Sequence, residues 1–241
     1  MSRAQATRPS LANKIAERIR FGLLTLELLN RFHRLTGLCV SAYAVFCGEI
    51  DDLEPPQQSS ESIEFRALRD GDLAAVAALA EHEPRKQAGR AADLARRMQG
   101  SLGFGAFVDG RPIAYCWADL EKCRVPLVNS VLFAVNEDEA AAYDFYVGRE
   151  FRGRRVGPAL RRVMIEQLAA DGRARMYRTV PLLNKSSMRV VARSRARKLE
   201  TRLTLGFPRW LVVDVRLAGA EPGLRTKRIL LTKMPTSGSG E

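Results

Sequence analysis

Residues 143–160, YDFYVGREFRGRRVGPAL, determine how the rest of the chain is interpreted. The apolar and aromatic opening predicts a β-strand over Tyr143–Val147. Gly153 and Gly157 then permit a tight turn, and Pro158 suits the first turn of a helix, where its missing N–H costs nothing. Apolar residues follow at helical spacing: Leu160, Val163, Met164 and Leu168. The stretch therefore predicts a strand, a glycine turn and an amphipathic helix.

The glycine turn is also strongly basic. It contains three arginines: Arg152, Arg154 and Arg155. The unbonded N–H groups at the start of the following helix, from Val156 onward, carry a partial positive charge that favours anions. The guanidinium groups add full charges to the same place. Residues 152–158 are therefore predicted to bind a phosphorylated ligand, with a surface turn in an arginine-rich protein as the alternative.

Two common phosphate-binding patterns do not fit this turn. A Walker loop would continue with Gly-Lys-Ser or Gly-Lys-Thr, and no such residues follow. A dinucleotide fold would have a third glycine and an acidic residue roughly 20 positions on, in a second strand. Neither feature is present, so neither pattern identifies the class of ligand that this turn would bind.

The chain divides by composition into three parts. Residues 1–60 hold a predicted basic amphipathic helix (Ser10–Arg34), an apolar strand (Cys39–Cys47) and a Pro/Gln/Ser linker. Residues 61–217 form the main predicted domain. Residues 218–241 form a tail whose last residues, Pro235–Glu241, have the composition of disordered segments. The helix over 10–34 has three open roles: packing on the sheet, a homodimer contact, or contact with an anionic membrane surface.

Within the main domain, turn signals and periodicity predict an ordered series of elements. The predicted strands are Ser62–Arg69, Leu102–Val108, Pro112–Leu120, Tyr143–Val147, Arg175–Leu183, Lys198–Leu205 and Trp210–Leu217. The predicted helices are Leu73–His82, a stretch from Pro84 to Met98, the helix after Gly157, and Asn184–Ser194. Asp109-Gly110 indicates one hairpin, and Gly206-Phe207-Pro208 between the last two strands indicates a second. This order predicts an α/β (α+β) fold with a mixed, mostly antiparallel sheet around a central βαβ unit.

The turn resembles the coenzyme-A loop of the GNAT superfamily of N-acetyltransferases, Gln/Arg-x-x-Gly-x-Gly/Ala between a strand and a helix. Arg152 occupies the first position and Gly157 the last, while Arg155 stands where the middle glycine is usual. Gly153 is the glycine of the frequent Arg-Gly pair. The order of elements over residues 62–217 is similar to the same family. The resemblance implies acetyl-CoA, or another acyl-CoA, as co-substrate and no metal.

A second motif of the family is partly kept. Asn184 and Ser187 match Asn-x-x-Ala/Ser, and the resemblance places the asparagine near the pantetheine arm. Val191 stands at the usual tyrosine position, and Arg195-Ala196 replace Gly-Phe. Capping of a helix is the alternative role of Asn184. The departures leave the general acid open between water, Tyr146 and Ser187.

The resemblance also implies a reaction and its residues. Backbone groups of Phe145, Tyr146 and Val147 would hold pantetheine and the thioester oxygen while an amine attacks. Asp144 and Glu139 are the candidate general bases, since burial beside aromatic neighbours would raise the pKa of a strand carboxylate. Outward-facing carboxylates paired with arginine are the alternative.

Three functions follow from these patterns. The first is an N-acetyltransferase that acts on a small-molecule or protein amine. The second is a catalytically degenerate relative that binds coenzyme A or an acyl carrier as a scaffold. The third, a nucleic-acid binder, is disfavoured because the arginines do not interleave with aromatic residues.

Charge and cysteine content set outer limits on partners and compartment. The formal net charge is +12, which favours an anionic partner such as a nucleotide-bearing cofactor or an acidic carrier protein. Four cysteines without a CxxC pair indicate neither a disulfide framework nor a zinc site. No secretory signal opens the chain, and no apolar run reaches the ~18 residues of a membrane-spanning helix. A cytoplasmic protein is expected.

Overall fold

The computed structural model describes residues 28, 32, 35, 36, 38–50, 63–81, 91–125, 131–207 and 211–218. The predicted linker and the tail after Ala218 lie outside these ranges. Most of the predicted helix over Ser10–Arg34 also lies outside them, and its two described positions, Leu28 and Phe32, are helical.

From residue 38 onward, the described ranges contain ten strands, four α-helices and two short 3-10 helices, Asp70–Asp72 and Arg149–Phe151. The strands are β1 Cys39–Glu49, β2 Glu64–Ala67, β3 Ser101–Val108, β4 Arg111–Asp119, β5 Lys122–Arg124, β6 Val131–Ala134, β7 Glu139–Val147, β8 Arg175–Pro181, β9 Arg197–Phe207 and β10 Leu211–Ala218. The helices are α1 Leu73–Glu81, α2 Ala91–Met98, α3 Val156–Ala170 and α4 Lys185–Arg193.

Eight of these strands form one mixed sheet in the order β10-β9-β1-β8-β7-β4-β3-β2. Every neighbouring pair is antiparallel except β7 and β8, which are parallel and are joined through α3. Helices α3 and α4 pack on one face, and α1, α2 and the small β5–β6 hairpin pack on the other. The predicted mixed, mostly antiparallel sheet flanked by helices is confirmed.

The apolar stripe of α3 forms the core of the first face. Its residues recur every fourth position and are at most 1 % exposed: Val156, Leu160, Met164 and Leu168. They pack on Phe104, Cys116 and Met176 of the sheet. Helical spacing in the sequence therefore predicted the buried side of α3 correctly, and this packing fixes where the helix begins over the end of β7.

Strand β1 lies inside the sheet rather than at its edge. It pairs with β8 on one side and with β9 on the other, both antiparallel. Tyr43, Ala44 and Val45 are consecutive and fully buried, so both faces of this strand are covered. The sequence predicted a strand here that extends the sheet, but the structure inserts it between two strands from the opposite end of the chain.

Two hairpins were predicted and one was not. Asp109 and Gly110 both have positive φ, 49° and 73°, as a two-residue hairpin turn between β3 and β4 requires. Strands β9 and β10 also pair as expected. The β5–β6 hairpin was missed, because strands of three and four residues carry little periodic signal.

Candidate functional site

Strands β7 and β8 separate at the centre of the sheet. Their pairing runs from Glu139↔Arg175 to Ala142↔Arg178 and then stops. Beyond that point β7 stays with β4, and β8 stays with β1. Past this point β7 and β8 no longer bond to each other, and the gap between them can receive an extended ligand that bonds to main chain.

A β-bulge distorts β7 where the gap opens. Tyr143 lies opposite Trp117 and Tyr146 opposite Tyr115, so Asp144 and Phe145 together face the single residue between them on β4. Asp144 has φ 47°, in the left-handed region that non-glycine residues rarely occupy. Such a bulge re-aims side chains and backbone groups at the gap, at a cost of roughly 1–3 kcal/mol.

The glycine turn presents a row of free backbone N–H groups. Gly153 and Arg155 adopt positive φ, 81° and 64°, and α3 starts immediately afterwards. Within the described part of the chain, four backbone N–H groups of this turn donate to no acceptor. They belong to Gly153, Arg155, Val156 and Gly157. Because they lie at the positive end of a 15-residue helix, they form a site for an anion.

The arginines of the turn are not all directed at these N–H groups. Arg152 turns back on the strand: its Nε donates to the Val147 carbonyl at 3.0 Å, and its guanidinium lies 5.7 Å from the centre of the Tyr146 ring. The guanidinium of Arg154 lies 5.6 Å from the ring of Phe151. All three arginines of the turn are exposed, so their charges remain available to a ligand at the surface.

The cap and first turn of helix α4 hold the two residues that match the family motif, Asn184 and Ser187, and Val191 stands where the motif has a tyrosine. Asn184 caps the helix, since its Oδ1 accepts from the backbone N–H of Ser187 at 3.1 Å. Val191 is 3 % exposed and packs against Phe46 and Val180 of the sheet. A side chain at that position contacts the core, so it supplies no hydroxyl to a reacting centre.

Asp144 is held in an ion pair on the opposite face. Arg97, in the last turn of α2, donates from Nη1 to Asp144 Oδ2 at 2.6 Å, and the side chains are 29 % and 19 % exposed. Burial disfavours the charged guanidinium, but the neighbouring carboxylate outweighs it and raises the pKa of Arg97. The same ion pair holds the Asp144 carboxylate at the bulge against a positive charge.

Glu139 lies at the other end of β7, in a saturated network. Its Oε1 accepts from the Tyr177 hydroxyl at 2.9 Å, and its Oε2 accepts from the Asn136 backbone N–H at 2.9 Å. Arg175 Nη2 lies 3.3 Å from Oε1. Burial, together with the Glu139 bond, raises the pKa of Tyr177, so the phenol remains the donor. The structure does not bring Glu139 together with the gap or with Asp144.

Comparison with known proteins agrees with this geometry. The acetyltransferase (GNAT) family model matches residues 64–195, which is more than half of the chain and includes the bulge, the glycine turn and Asn184. The chain belongs to the GNAT acetyltransferase family. Members of this family are acyltransferases. The family resemblance of the turn and of the element order is therefore confirmed.

Solved structures with similar folds are distant in sequence. A Drosophila protein is 17 % identical with a TM-score of 0.53, covering 83 % of this chain and 59 % of its own. A tandem GNAT protein from the clavulanic acid biosynthesis pathway is 16 % identical with a TM-score of 0.50, covering 79 % and 59 %. An acetyltransferase of Novosphingobium aromaticivorans is 18 % identical with a TM-score of 0.49, covering 69 % and 63 %. Each of these proteins is longer than the part matched here. No curated protein matches the chain.

Three further observations on the described residues concern disulfide bonds, metal ions and membrane-spanning helices. Among the described residues, Cys47, Cys116 and Cys123 take part in no disulfide bond. Within the ranges given above, no group of histidine, cysteine and carboxylate side chains is arranged to hold a metal ion. None of the helices described combines the length and the hydropathy that crossing a bilayer requires.

Sequence reasoning missed two arginines that line the gap. Arg97 is 47 positions from its partner Asp144, so no local pattern connects them. Arg178 lies in a strand that was predicted from its apolar neighbours, and a charged residue among them was the only signal. A charged residue at an inward position of a buried strand is unusual enough to mark a functional candidate.

Proposed function

We propose that this GNAT protein is an acetyl-CoA-dependent N-acyltransferase. The observation that carries the proposal is the set of free N–H groups of Gly153, Arg155, Val156 and Gly157 at the start of α3. This set lies at the end of the strand whose partner diverges. The coenzyme's pyrophosphate would lie on those N–H groups, and the pantetheine arm would extend into the gap along Phe145, Tyr146 and Val147.

The proposed reaction is direct attack of an amine on the thioester. The amine nitrogen forms a bond to the carbonyl carbon, the carbon–sulfur bond breaks, and coenzyme A leaves as a thiolate. A backbone N–H at the bulge would stabilise the oxyanion that develops. The geometry supports this, because the bulge directs main chain of Asp144 and Phe145 into the opening between the strands.

Among the carboxylates, Asp144 is proposed to act on the acceptor amine. It lies at the bulge, whereas Glu139 is saturated by Tyr177, Asn136 and Arg175. The Asp144 carboxylate would bind the ammonium form of the acceptor and take its proton once the amine is engaged. With Val191 packed in the core, the leaving thiolate would take its proton from solvent.

A second function, coenzyme binding without catalysis, is favoured by two specific observations. Val191 provides no general acid, and the Asp144 carboxylate at the bulge is already engaged by Arg97 at 2.6 Å. A scaffold of this kind would bind acetyl-CoA as tightly as an enzyme, since the binding groups are main chain. The two functions are separated by product formation alone.

Calorimetry with acetyl-CoA tests the proposal. We expect the unmodified protein to bind, and Gly157→Glu to abolish binding because it puts a bulky anion at the helix N-terminus. Arg152→Ala should weaken binding less, since the guanidinium is turned towards Val147. Ala169→Glu is the matched control: it adds the same side chain at an exposed position near the far end of α3, and its affinity should equal that of the unmodified protein.

Absence of binding by the unmodified protein would contradict the proposal as a whole. Binding without thiol release across a panel of amines would instead favour the scaffold function. Thiol release should be followed with a chromogenic disulfide, and the acylated amine should be identified by mass spectrometry.

A further inference from the structure

Arg178 occupies the closed end of the gap between β7 and β8. It is the last β8 residue paired with β7, opposite Ala142. Its neighbours two positions away on the same face are Met176, which packs under α3, and Val180, which packs against α4. The guanidinium therefore lies below the two helices that flank the coenzyme site, and Arg178 is only 7 % exposed.

This guanidinium has no partner in the described residues. Its Nε and Nη2 are buried without a hydrogen-bond acceptor, and no carboxylate pairs with it. Burial lowers the pKa of Arg178 to about 9, and the nearby cation Arg161 contributes to the shift. Another arginine, Arg202, is buried even more deeply, but it bonds to Glu200 at 3.0 Å. A buried charge left unpaired is strongly unfavourable, so the site is complete only when an anion occupies it.

The position of Arg178 identifies which end of a ligand reaches it. Phosphates would lie at the start of α3, beyond Val147, and Ala142 is five residues further back along β7. At ~3.3 Å per residue this is about 16 Å of strand, which separates the phosphate site from Arg178. An arm that enters at the glycine turn and follows β7 therefore brings its thioester end towards Arg178. Arg161 of α3, 5.4 Å from the Phe145 ring, lies beside the same path.

We infer that Arg178 binds a carboxylate on the acyl group, and that the preferred donor is a dicarboxylic acyl-CoA such as succinyl-CoA. This inference rests on the proposed acyltransferase function. A neutral pantetheine amide could accept a hydrogen bond but would not compensate the buried charge, whereas a carboxylate does both. During transfer, the carbon–nitrogen bond forms and the carbon–sulfur bond breaks at the thioester. The distal carboxylate on Arg178 is unchanged and remains on the amide product.

The test compares acyl-CoA ligands that differ in the terminal group. Calorimetry on the full chain should show succinyl-CoA binding about ten- to a hundredfold more tightly than butyryl-CoA, which has the same chain length and ends in a methyl group. Arg178→Met should remove this preference without weakening the binding of free coenzyme A. Arg178→Gln serves as a second, polar variant. Arg162→Met, at a half-exposed position of α3 paired with Glu166, is the control and should retain the preference.

Three outcomes would overturn the inference. Equal affinity for succinyl-CoA and butyryl-CoA in the unmodified protein would exclude a carboxylate subsite. An equal loss for all ligands in both Arg178 variants, free coenzyme A included, would assign Arg178 to the pantetheine arm. The third outcome concerns the acceptor. If the protein shows no preference among acyl-CoA ligands but has a lower KM for an amino acid than for the amine made by removing its carboxylate, Arg178 would be assigned to binding the acceptor. Failure of free coenzyme A itself to bind would contradict the proposed function instead.

Discussion

Two arginines, the half-buried Arg97 and the buried Arg178, lie on opposite faces of the sheet near the opening between β7 and β8. Arg97, on the α1–α2 face, is neutralised by Asp144 at 2.6 Å. Arg178, on the α3–α4 face, is more deeply buried and bonds to nothing in the described residues. The first arginine completes a structure that is stable by itself. The second leaves a local instability at the place where the proposed cofactor ends, which is typical of sites whose ligand supplies the missing partner.

The largest effect is expected from removing the paired arginine. Arg97→Met removes the 2.6 Å ion pair with the partly buried Asp144 carboxylate, and we expect the free energy of unfolding to fall by about 2 kcal/mol. This is less than for a fully buried pair, because both side chains keep some contact with water. Urea unfolding followed by circular dichroism measures the change.

The control for this variant lies on the same helix. Arg96→Met removes an exposed arginine next to Arg97 and should change stability by no more than about 0.5 kcal/mol. Adding Asp144→Asn to Arg97→Met should recover part of the loss, since the partly buried anion is then removed together with the cation. If Arg97→Met were as stable as the unmodified protein, the Arg97–Asp144 ion pair would contribute nothing to stability, and the contrast between Arg97 and Arg178 would fail.

The unpaired arginine should give a smaller effect of opposite sign. Arg178→Met removes an uncompensated buried charge and keeps most of the side-chain volume, so we expect the ligand-free protein to gain about 1.5 kcal/mol. A loss of stability in the same urea assay would indicate that Arg178 is satisfied in the folded protein.

The gain should also depend on pH. Burial lowers the pKa of Arg178 to about 9 in the folded protein, well below its ordinary value in the unfolded chain. Below pH 9 both states are protonated and the folded state carries the full penalty. Above it the folded state releases the proton, and the unmodified protein becomes relatively more stable. The difference in the free energy of unfolding between Arg178→Met and the unmodified protein should therefore narrow between about pH 8 and about pH 10.5. A difference that does not change with pH would contradict the description of Arg178 as a buried, unpaired cation.

The smallest effect on stability is expected at Arg155, a site of backbone strain that lies away from both Arg97 and Arg178. Arg155 has φ 64°, where a side chain is unfavourable and glycine is not. We expect Arg155→Gly to stabilise the protein by about 0.5 kcal/mol, after the greater flexibility of unfolded glycine is subtracted. The midpoint of thermal unfolding measures it, and Arg154→Gly in the same turn is the comparison that should not stabilise.

Much of the fold could be predicted from the sequence because its signals are local. The apolar spacing of α3, the Asp109-Gly110 turn and the cap at Asn184 each depend on residues within a few positions of one another. The left-handed conformation at Arg155 is also consistent with its place in the motif, where glycine is usual. These features place the anion site without any knowledge of the sheet order.

The rest depends on contacts between distant positions. The pairing of Arg97 with Asp144 joins α2 to β7, and the isolation of Arg178 is a property of everything that surrounds it. Glu139 was an attractive base in sequence, but its position next to Tyr177 depends on the parallel pairing of β7 with β8. Periodicity carries no information on such long-range partners.

The insertion of β1 between β8 and β9 has a consequence for how the protein is made. Its partners, Arg175–Pro181 and Arg197–Phe207, emerge from the ribosome more than a hundred residues after Cys39–Glu49. Until then an apolar, β-branched and aromatic strand has no native neighbour, and closing so long a loop is slow. The nascent chain therefore carries an aggregation-prone segment throughout most of its synthesis. A shortened chain that begins at the linker would leave two strand edges open in the middle of the sheet.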